Sequence, residues 1–224
     1  MKYKVLNCYA GIGGNRKLWK DVEVTAVELN LEIAKIYQDF FPDDKVIVGD
    51  AHQYLLDHYK EFDFIWSSPP CPTHSVMRKT LSIPMGAEVK YPDMKLYEEI
   101  ILLQNFFSGD WAVENVVSYY KPLIPPYKVH RHYVWSNIYI PEAKFSKGSI
   151  NISIREDRYT TDELIEQLSK DYGFDVSGYN GSKTKLLTYL RNCVIPEMGN
   201  YILNCARDYT EPIQEGLFAE QSSN

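Results

Sequence analysis

The feature that most restricts this chain is an alternation of short apolar runs with helix-patterned stretches through its first half. Val5–Tyr9, Val22–Glu28, Val46–Val48 and Phe62–Trp66 have the length and the β-branched or aromatic character of buried strands. Between them lie an Ala10–Gly14 turn and helix-type segments at Asn15–Lys20, Leu31–Phe41 (closed by Pro42) and Ala51–Tyr59. This βαβαβαβ order predicts an α/β fold, a mostly parallel sheet with helices on both faces, because parallel neighbours need a crossover that covers the sheet. Pro92 opens a further helix with Leu96, Ile100, Leu103 and Phe107 at helical spacing, and Gly109 ends it. Trp111–Val113 reads as a fifth strand running into Glu114–Asn115, Tyr133–Ile140 as another strand, and Pro196–Ala206 as a last helix.

From Pro141 to Lys185 the chain is rich in Ser, Asn, Gly and Tyr, with one helix-patterned segment at Thr161–Lys170. Such an insert is the kind of element that carries specificity on a rigid scaffold. From Asp208 the residues are polar, small and proline-punctuated, which predicts a disordered tail. The expected organisation is a main domain of residues 1–140 and 186–208, a small insert of residues 141–185, and a flexible tail of residues 209–224. A chain of 224 residues can bury one sizeable core. The net charge of -6 argues against an indiscriminate polyanion binder, yet Lys121, Lys128, His130 and Arg131 form a local basic group able to contact phosphates. The four cysteines (Cys8, Cys71, Cys193, Cys205) are widely spaced with no Cys-x-x-Cys pair, which argues against a metal centre or a disulfide framework. No apolar run has the length of a signal peptide core or a membrane span. The expectation is a soluble, cytoplasmic monomer with no metal and no membrane contact.

Residues that carry chemistry collect at the ends of the expected strands, where open α/β sheets bind their ligands. Tyr9-Ala10-Gly11-Ile12-Gly13-Gly14 follows the first strand, and glycines there let backbone N–H groups approach a ligand. Glu28, followed by Leu29, ends the second strand where an acid can accept from ribose hydroxyls. Asp50, before Ala51, ends the third, where it can accept from an adenine amine or serve only as the cap of the next helix. Two acids and a glycine turn suit an adenosyl ligand; the full Gly-x-Gly-x-x-Gly dinucleotide spacing is absent. The fourth strand leads into Ser67-Ser68-Pro69-Pro70-Cys71-Pro72-Thr73-His74-Ser75, in which two prolines hold Cys71 on an extended path.

Tyr-Ala-Gly-x-Gly-Gly, Val-Glu-Leu, Gly-Asp-Ala, Pro-Pro-Cys and Glu-Asn-Val, in that order, resemble the cytosine-5 DNA methyltransferase family in a compact bacterial or phage-like form. Arg131-His132-Tyr133-Val134-Trp135 resembles that family's arginine-bearing strand, and Arg191-Asn192-Cys193-Val194-Ile195-Pro196 its closing motif. The resemblance implies a Rossmann-like S-adenosylmethionine-dependent methyltransferase domain with a small target-recognition insert, acting on double-stranded DNA in the bacterial cytoplasm or nucleoid. It implies Cys71 as the nucleophile that adds to cytosine carbon 6, Glu114 as the residue holding N3 and the exocyclic amine, and Arg131 beside them, with His130 and His132 as alternative occupants of the arginine position. It implies S-adenosyl-L-methionine bound by Tyr9, Ala10, Gly11, Gly13, Gly14, Glu28, Leu29, Asp50, Ala51, Pro70, Asn192 and Val194. Residues 76–91, with Arg78, Lys79 and Gly86, look like the loop that closes over a flipped base.

The chain departs from the family at Pro72, where glutamine is common, and at Arg191, where glycine is usual. Three other readings stay open. Ser68-Pro69-Pro70 also suits an N4-cytosine or N6-adenine amino-methyltransferase, an inactive S-adenosylmethionine-binding regulator fits the glycine turn alone, and Cys71 with His74 suits a cysteine hydrolase. RNA is an alternative substrate. In the tail, Gln214-Glu215-Gly216-Leu217-Phe218 resembles peptides that dock on bacterial sliding clamps.

Overall fold

A computed structural model of the chain describes residues 2–76, 80, 84–86, 88, 90–145 and 159–207. The elements run β1 (Tyr3–Cys8), β2 (Val22–Glu28), α1 (Leu31–Phe40), β3 (Lys45–Val48), α2 (Ala51–His58) with a 3-10 turn at Tyr59–Glu61, and β4 (Phe64–Ser67). They continue with α3 (Lys95–Phe106), β5 (Asp110–Val116), β6 (Tyr127–Val129), β7 (His132–Ser136), α4 (Thr161–Tyr172), α5 (Lys183–Arg191) and α6 (Pro196–Arg207). Seven strands form one sheet in the order β3-β2-β1-β4-β5-β7-β6. The first five in that order are parallel, β7 joins them antiparallel to β5, and β6 forms the edge antiparallel to β7.

Both faces of the sheet are covered, which is why β1, β2, β4 and β5 are buried at consecutive positions rather than alternate ones. Leu6, Val27, Ile65 and Val113 point to one face and pack on Leu55 of α2 and on Leu96, Ile100 and Leu103 of α3. Their neighbours in sequence, Val5, Phe64, Trp66 and Ala112, point to the other face and meet Met198, Ile202 and Leu203 of α6. The strand order reverses at β1, with β2 on one side and β4 on the other, so a crevice opens at the carboxyl ends of β1 and β4.

The α/β class and the mostly parallel sheet agree with the sequence expectation, but several elements differ. No regular helix joins β1 to β2. Residues 14–18 form turns with i→i+3 bonds, such as Trp19 N to Arg16 O at 3.0 Å. The space is taken by α6, whose Gly199 lies so close to Asn15 that a Cβ there would sit 2.2 Å from the Asn15 carbonyl oxygen. β5 continues through Glu114 and Asn115 to Val116, because β7 pairs with it along that length. The expected strand at Tyr133–Ile140 starts one residue earlier and ends at Ser136, and β6 forms a hairpin with it that has only three residues and no clear alternation. Helix α5 starts at the end of the expected insert and runs on where no element was expected; Ser182 caps it by accepting from Lys185 N.

Part of the expected insert is built directly onto the main domain. Leu164, Leu168 and Tyr172 of α4 and Leu187 and Leu190 of α5 share one apolar cluster with Ile12, Tyr37 and Phe41. The Phe40 and Phe174 rings meet edge to face at 4.8 Å. Helix α4 starts with a Thr160–Glu163 capping box and stops at Gly173, which takes the left-handed conformation at φ 71°. Arg78, Lys79 and the tail with Gln214–Phe218 lie outside the described residues. Among the described residues no helix is long and apolar enough to cross a membrane, and no group of His, Cys, Asp or Glu could hold a metal ion.

Candidate active site

The first half of the site is made mainly by backbone at the ends of β1, β2 and β3. Tyr9 and Gly11 both take positive φ, 57° and 55°, so the chain turns sharply off the end of β1. That turn presents the Gly11 N–H to Glu28, whose Oε2 accepts from it at 3.0 Å while Oε1 accepts from Asn30 N at 2.9 Å. Ala10 is tied to the neighbouring strand by its N–H to Val27 O at 3.0 Å, and Gly13 N donates back to Ala10 O. Asp50 caps α2 through Oδ1, which accepts from His52 N at 2.9 Å. Its Oδ2 stays outward, 3.9 Å from Lys95 Nζ. The capping reading of Asp50 is therefore correct, and it leaves one oxygen for a ligand. Ala51 is buried behind it.

The closing segment reaches this turn from the far end of the chain. A Cβ on Gly14 would lie 2.5 Å from Val194 O and 2.7 Å from the Cys193 Cβ, so only glycine admits the 193–194 backbone there. Val194 is buried at this junction, while Asn192 is exposed at the C-cap of α5. Burial pushes the Cys193 thiol up to about 12, so this cysteine is an inert packing group. Lys185 and Tyr189 of α5 both reach Glu32 in the first turn of α1, which fastens α5 beside Glu28.

The residues present fit an adenosyl cofactor. A Cβ at Gly11 or Gly49 would meet nothing within 4 Å, so both face open space. Leu29, 73% exposed, and the exposed Val48 offer apolar surface beside the two carboxylates, a combination suited to an aromatic base and its ribose.

The second half of the site is made by side chains. Cys71 sits half-buried four residues beyond β4, after the exposed Pro70, and its carbonyl accepts from His74 N at 2.9 Å and Ser75 N at 3.1 Å. Those bonds turn the chain back, and Ser75 then pairs with Ser118 beyond β5. Glu114, only 6% exposed, holds two partners: His132 Nδ1 at 2.5 Å on Oε1, and the Ser68 hydroxyl, which donates to Oε2 at 2.8 Å. The Trp66 indole donates to Ser68 Oγ in turn, at 2.8 Å. Asn115 donates to Pro69 O at 2.9 Å, which fixes the proline pair to β5. Burial, and then the negative charge of Glu114, push the Cys71 thiol above its ordinary range, so the resting residue is a protonated thiol.

The structure decides which residue of the hairpin stands beside Glu114. In the register Glu114 pairs with Val134 and Val116 with His132, so His132, two residues from Val134, projects to the same face as Glu114. Arg131 lies on the two-residue turn between β6 and β7, exposed, and its positive charge acts on Tyr172 of α4. His132 Nε2 is buried with no partner among the described residues. The ring of buried His74 is bonded through Nδ1 to the half-buried Tyr120 hydroxyl at 2.6 Å, a contact that braces the cysteine turn. Ser68 and His132 as partners of Glu114 were not legible in the sequence; the period-two spacing from Val134 is the one signal that points to His132.

Fold and site together define a doubly wound α/β domain with a cysteine and a buried carboxylate near a glycine turn at the strand ends. Across its length the chain is similar to the Entamoeba histolytica methyltransferase EhMeth, with a TM-score of 0.55 at 13% identity over 93% of this chain and 98% of that one. At that identity the likeness concerns the fold.

Residues 3–98 match the family described as C-5 cytosine-specific DNA methylase, which bears out the resemblance carried by the motifs from Tyr9 to Cys71. A tRNA (cytosine(38)-C(5))-methyltransferase of Spodoptera frugiperda is 32% identical over 78 residues, covering 32% of this chain and 24% of that protein. A solved Spodoptera frugiperda DNMT2 variant is 26% identical, with a TM-score of 0.37, over 51% of this chain and 35% of that one. The chain thus spans about a quarter of the length of the curated relative it matches and about a third of the solved one. The family match implies S-adenosyl-L-methionine as the cofactor.

Proposed function

We propose that this protein is a DNA cytosine-5 methyltransferase that uses Cys71 as a covalent nucleophile. The observation that carries the reading is the buried Glu114 carboxylate, held by His132 and Ser68, whose charge acts on the Cys71 thiol. Carbon 5 of cytosine is a poor nucleophile, and it becomes an enamine carbon once a thiolate adds to carbon 6. Cys71 makes that bond. The Cys71 thiol gives up its proton as the sulfur–carbon 6 bond forms, and Glu114 supports the addition by accepting from the exocyclic amine and holding a proton toward ring N3, where the negative charge develops. His132 and Ser68 hold the carboxylate at that angle, and Asn115 holds the Pro69–Pro70 backbone that carries Cys71.

Tyr9, Ala10, Gly11, Gly13, Gly14, Glu28, Leu29, Asp50, Ala51, Pro70, Asn192 and Val194 hold the cofactor, which supplies an electrophilic methyl group. Loss of the carbon 5 proton and departure of the Cys71 sulfur then release the methylated base. A base inside a duplex has to leave its stack first, at a cost of a few kcal/mol. Lys121, Lys128, His130 and Arg131, all exposed around the β6–β7 hairpin, supply phosphate contacts at the same sheet edge.

A second substrate reading, structured RNA, draws its support from the Spodoptera relative that acts on tRNA. One experiment tests both. Oligonucleotides carrying 5-fluorocytosine, as DNA and as a tRNA stem-loop, are incubated with the protein and S-adenosylmethionine. A covalent adduct through Cys71 on DNA supports the proposal, and an adduct on RNA alone moves the substrate to RNA. Methyl transfer to unmodified cytosine DNA without any adduct on the fluorinated one would point to amine methylation and reject the role of Cys71.

A further inference from the structure

One fully buried carboxylate is used by none of the steps above. Glu99, on the second turn of α3, is 0% exposed. Its Oε1 accepts from the Tyr9 hydroxyl at 2.6 Å and lies 2.9 Å from His52 Nδ1, and its Oε2 accepts from the Ser67 hydroxyl at 2.6 Å. A carboxylate sealed from water is tolerated only when its oxygens are bonded, and here three side chains from three other segments bond to it. The identity of those segments is informative. Tyr9 is the first residue after β1, His52 follows the Asp50 cap in the first turn of α2, and Ser67 ends β4, four residues before Cys71. Cys8 and Ser67 are register partners, so the carboxylate sits beneath the crevice where the strand order reverses.

Tyr9 needs such a hold. It takes φ 57°, a left-handed conformation that costs a non-glycine residue energy and persists only where surrounding contacts enforce it. Burial, and then the Glu99 charge, raise the Tyr9 hydroxyl well above its ordinary range, so it stays protonated and donates. The bond to Glu99 likewise raises His52, which keeps a proton for the same carboxylate. Apolar packing would stabilise a core at least as well as a buried carboxylate does. What a bonded carboxylate adds is direction at three strand or helix ends.

We propose that Glu99 is a positioning residue for methyl transfer, holding the cofactor turn at Tyr9, the start of α2 at His52 and the end of β4 at Ser67 in one alignment of methyl donor and Cys71. The proposal rests on the cofactor and nucleophile roles proposed above. With no exposed surface, Glu99 touches neither substrate nor cofactor. Its effect reaches both halves of the site through Tyr9 and Ser67, which makes the affinity of one half and the reactivity of the other depend on a single group.

The test uses the full chain and the variants Glu99→Gln and Ser67→Ala. Calorimetry gives the Kd of S-adenosylhomocysteine, and rapid quench gives the rate of 5-fluorocytosine adduct formation at saturating S-adenosylmethionine. Both variants are expected to weaken S-adenosylhomocysteine about tenfold and to slow the adduct about tenfold, the scale of one lost bond to a charged group. Folded variants with parental Kd and parental adduct rate, and only a lowered Tm, would show a mere structural brace and overturn the proposal. A loss confined to one readout also overturns it, because the carboxylate would then serve one wall alone. Should Glu99→Gln fail to fold, Ser67→Ala removes a single bond and decides the matter. A parent that binds no S-adenosylhomocysteine would instead strike the cofactor reading itself, which the first titration reveals.

Discussion

The two halves of the site are built by different means. On the β1–β3 side the defining groups are largely backbone: Gly11 N on Glu28, open space over Gly11 and Gly49, and the Val194 carbonyl pressed against Gly14. On the β4–β7 side they are side chains in relay, Trp66 to Ser68 to Glu114 to His132, with Cys71 beside them. Backbone sites depend on which residues lack a Cβ and tolerate little change in shape. Side-chain relays depend on partners drawn from distant positions and tolerate changes in shape better than changes in chemistry. The first half suits recognition of a constant cofactor, and the second suits charge handling during bond formation.

That contrast can be broken by substitution. Cys71→Ala should remove the adduct and lower methyl transfer by at least about a thousandfold, the scale of losing a covalent nucleophile. S-adenosylhomocysteine should still bind within about twofold in calorimetry, because that half owes nothing to the thiol. Glu114→Gln should slow single-turnover transfer by about a hundredfold, as the loss of a preorganised group at the charge that develops.

The same substitution should also change the titration of Cys71. A neighbouring carboxylate disfavours the thiolate, so removing its charge lowers the pH at which Cys71 ionises. Iodoacetamide labelling of the Cys71 peptide at about pH 8, near the ordinary thiol range, should then run faster in Glu114→Gln than in the parent. An unchanged or slower rate would contradict the electrostatic coupling of the two residues.

Gly14→Ala tests the backbone half. The added Cβ would collide with Val194 O and force the 193–194 segment away, costing about 1–3 kcal/mol in chemical denaturation and weakening the cofactor more than it slows bond formation at saturation. The smallest effects belong to the hairpin. His132→Ala should slow adduct formation about tenfold by freeing Glu114, whereas Arg131→Ala should change it less than about threefold and act on binding to nucleic acid, with a shallower salt dependence. The reverse ranking would return the arginine position to Arg131.

Much of the backbone half was legible in the sequence because its signals are local. A glycine turn after a strand, an acid at the end of the next and an acid that caps a helix are each stated by neighbours in the chain. The position of Cys71 was legible for the same reason, since Pro70 fixes its own φ just before the cysteine and Pro72 restricts the residue that precedes it. The partners of Glu114 were not. Ser68 lies 46 positions away and His132 lies 18, and the choice of His132 over Arg131 follows from the antiparallel register of β5 and β7. The missing helix between β1 and β2 was lost to a long-range effect as well, because α6, nearly two hundred residues on, fills the space beside Asn15. Helix α5 was hidden by a Ser-Lys-Thr-Lys start whose apolar residues pack on α1 only in the folded chain.

By itself the sequence determined the α/β class, the order of the parallel strands' residues and the presence of a cysteine at a strand end. Periodicity, glycine and proline act within a few residues and survive any change in packing. Only the tertiary structure decided that Glu99 gathers Tyr9, His52 and Ser67, that Glu114 faces His132, and that the closing motif seals the glycine turn. Each of these is a hydrogen bond or a contact between residues far apart in the chain. Such pairs carry no local signature, because the energy that selects them appears only when burial removes the water that would otherwise satisfy them.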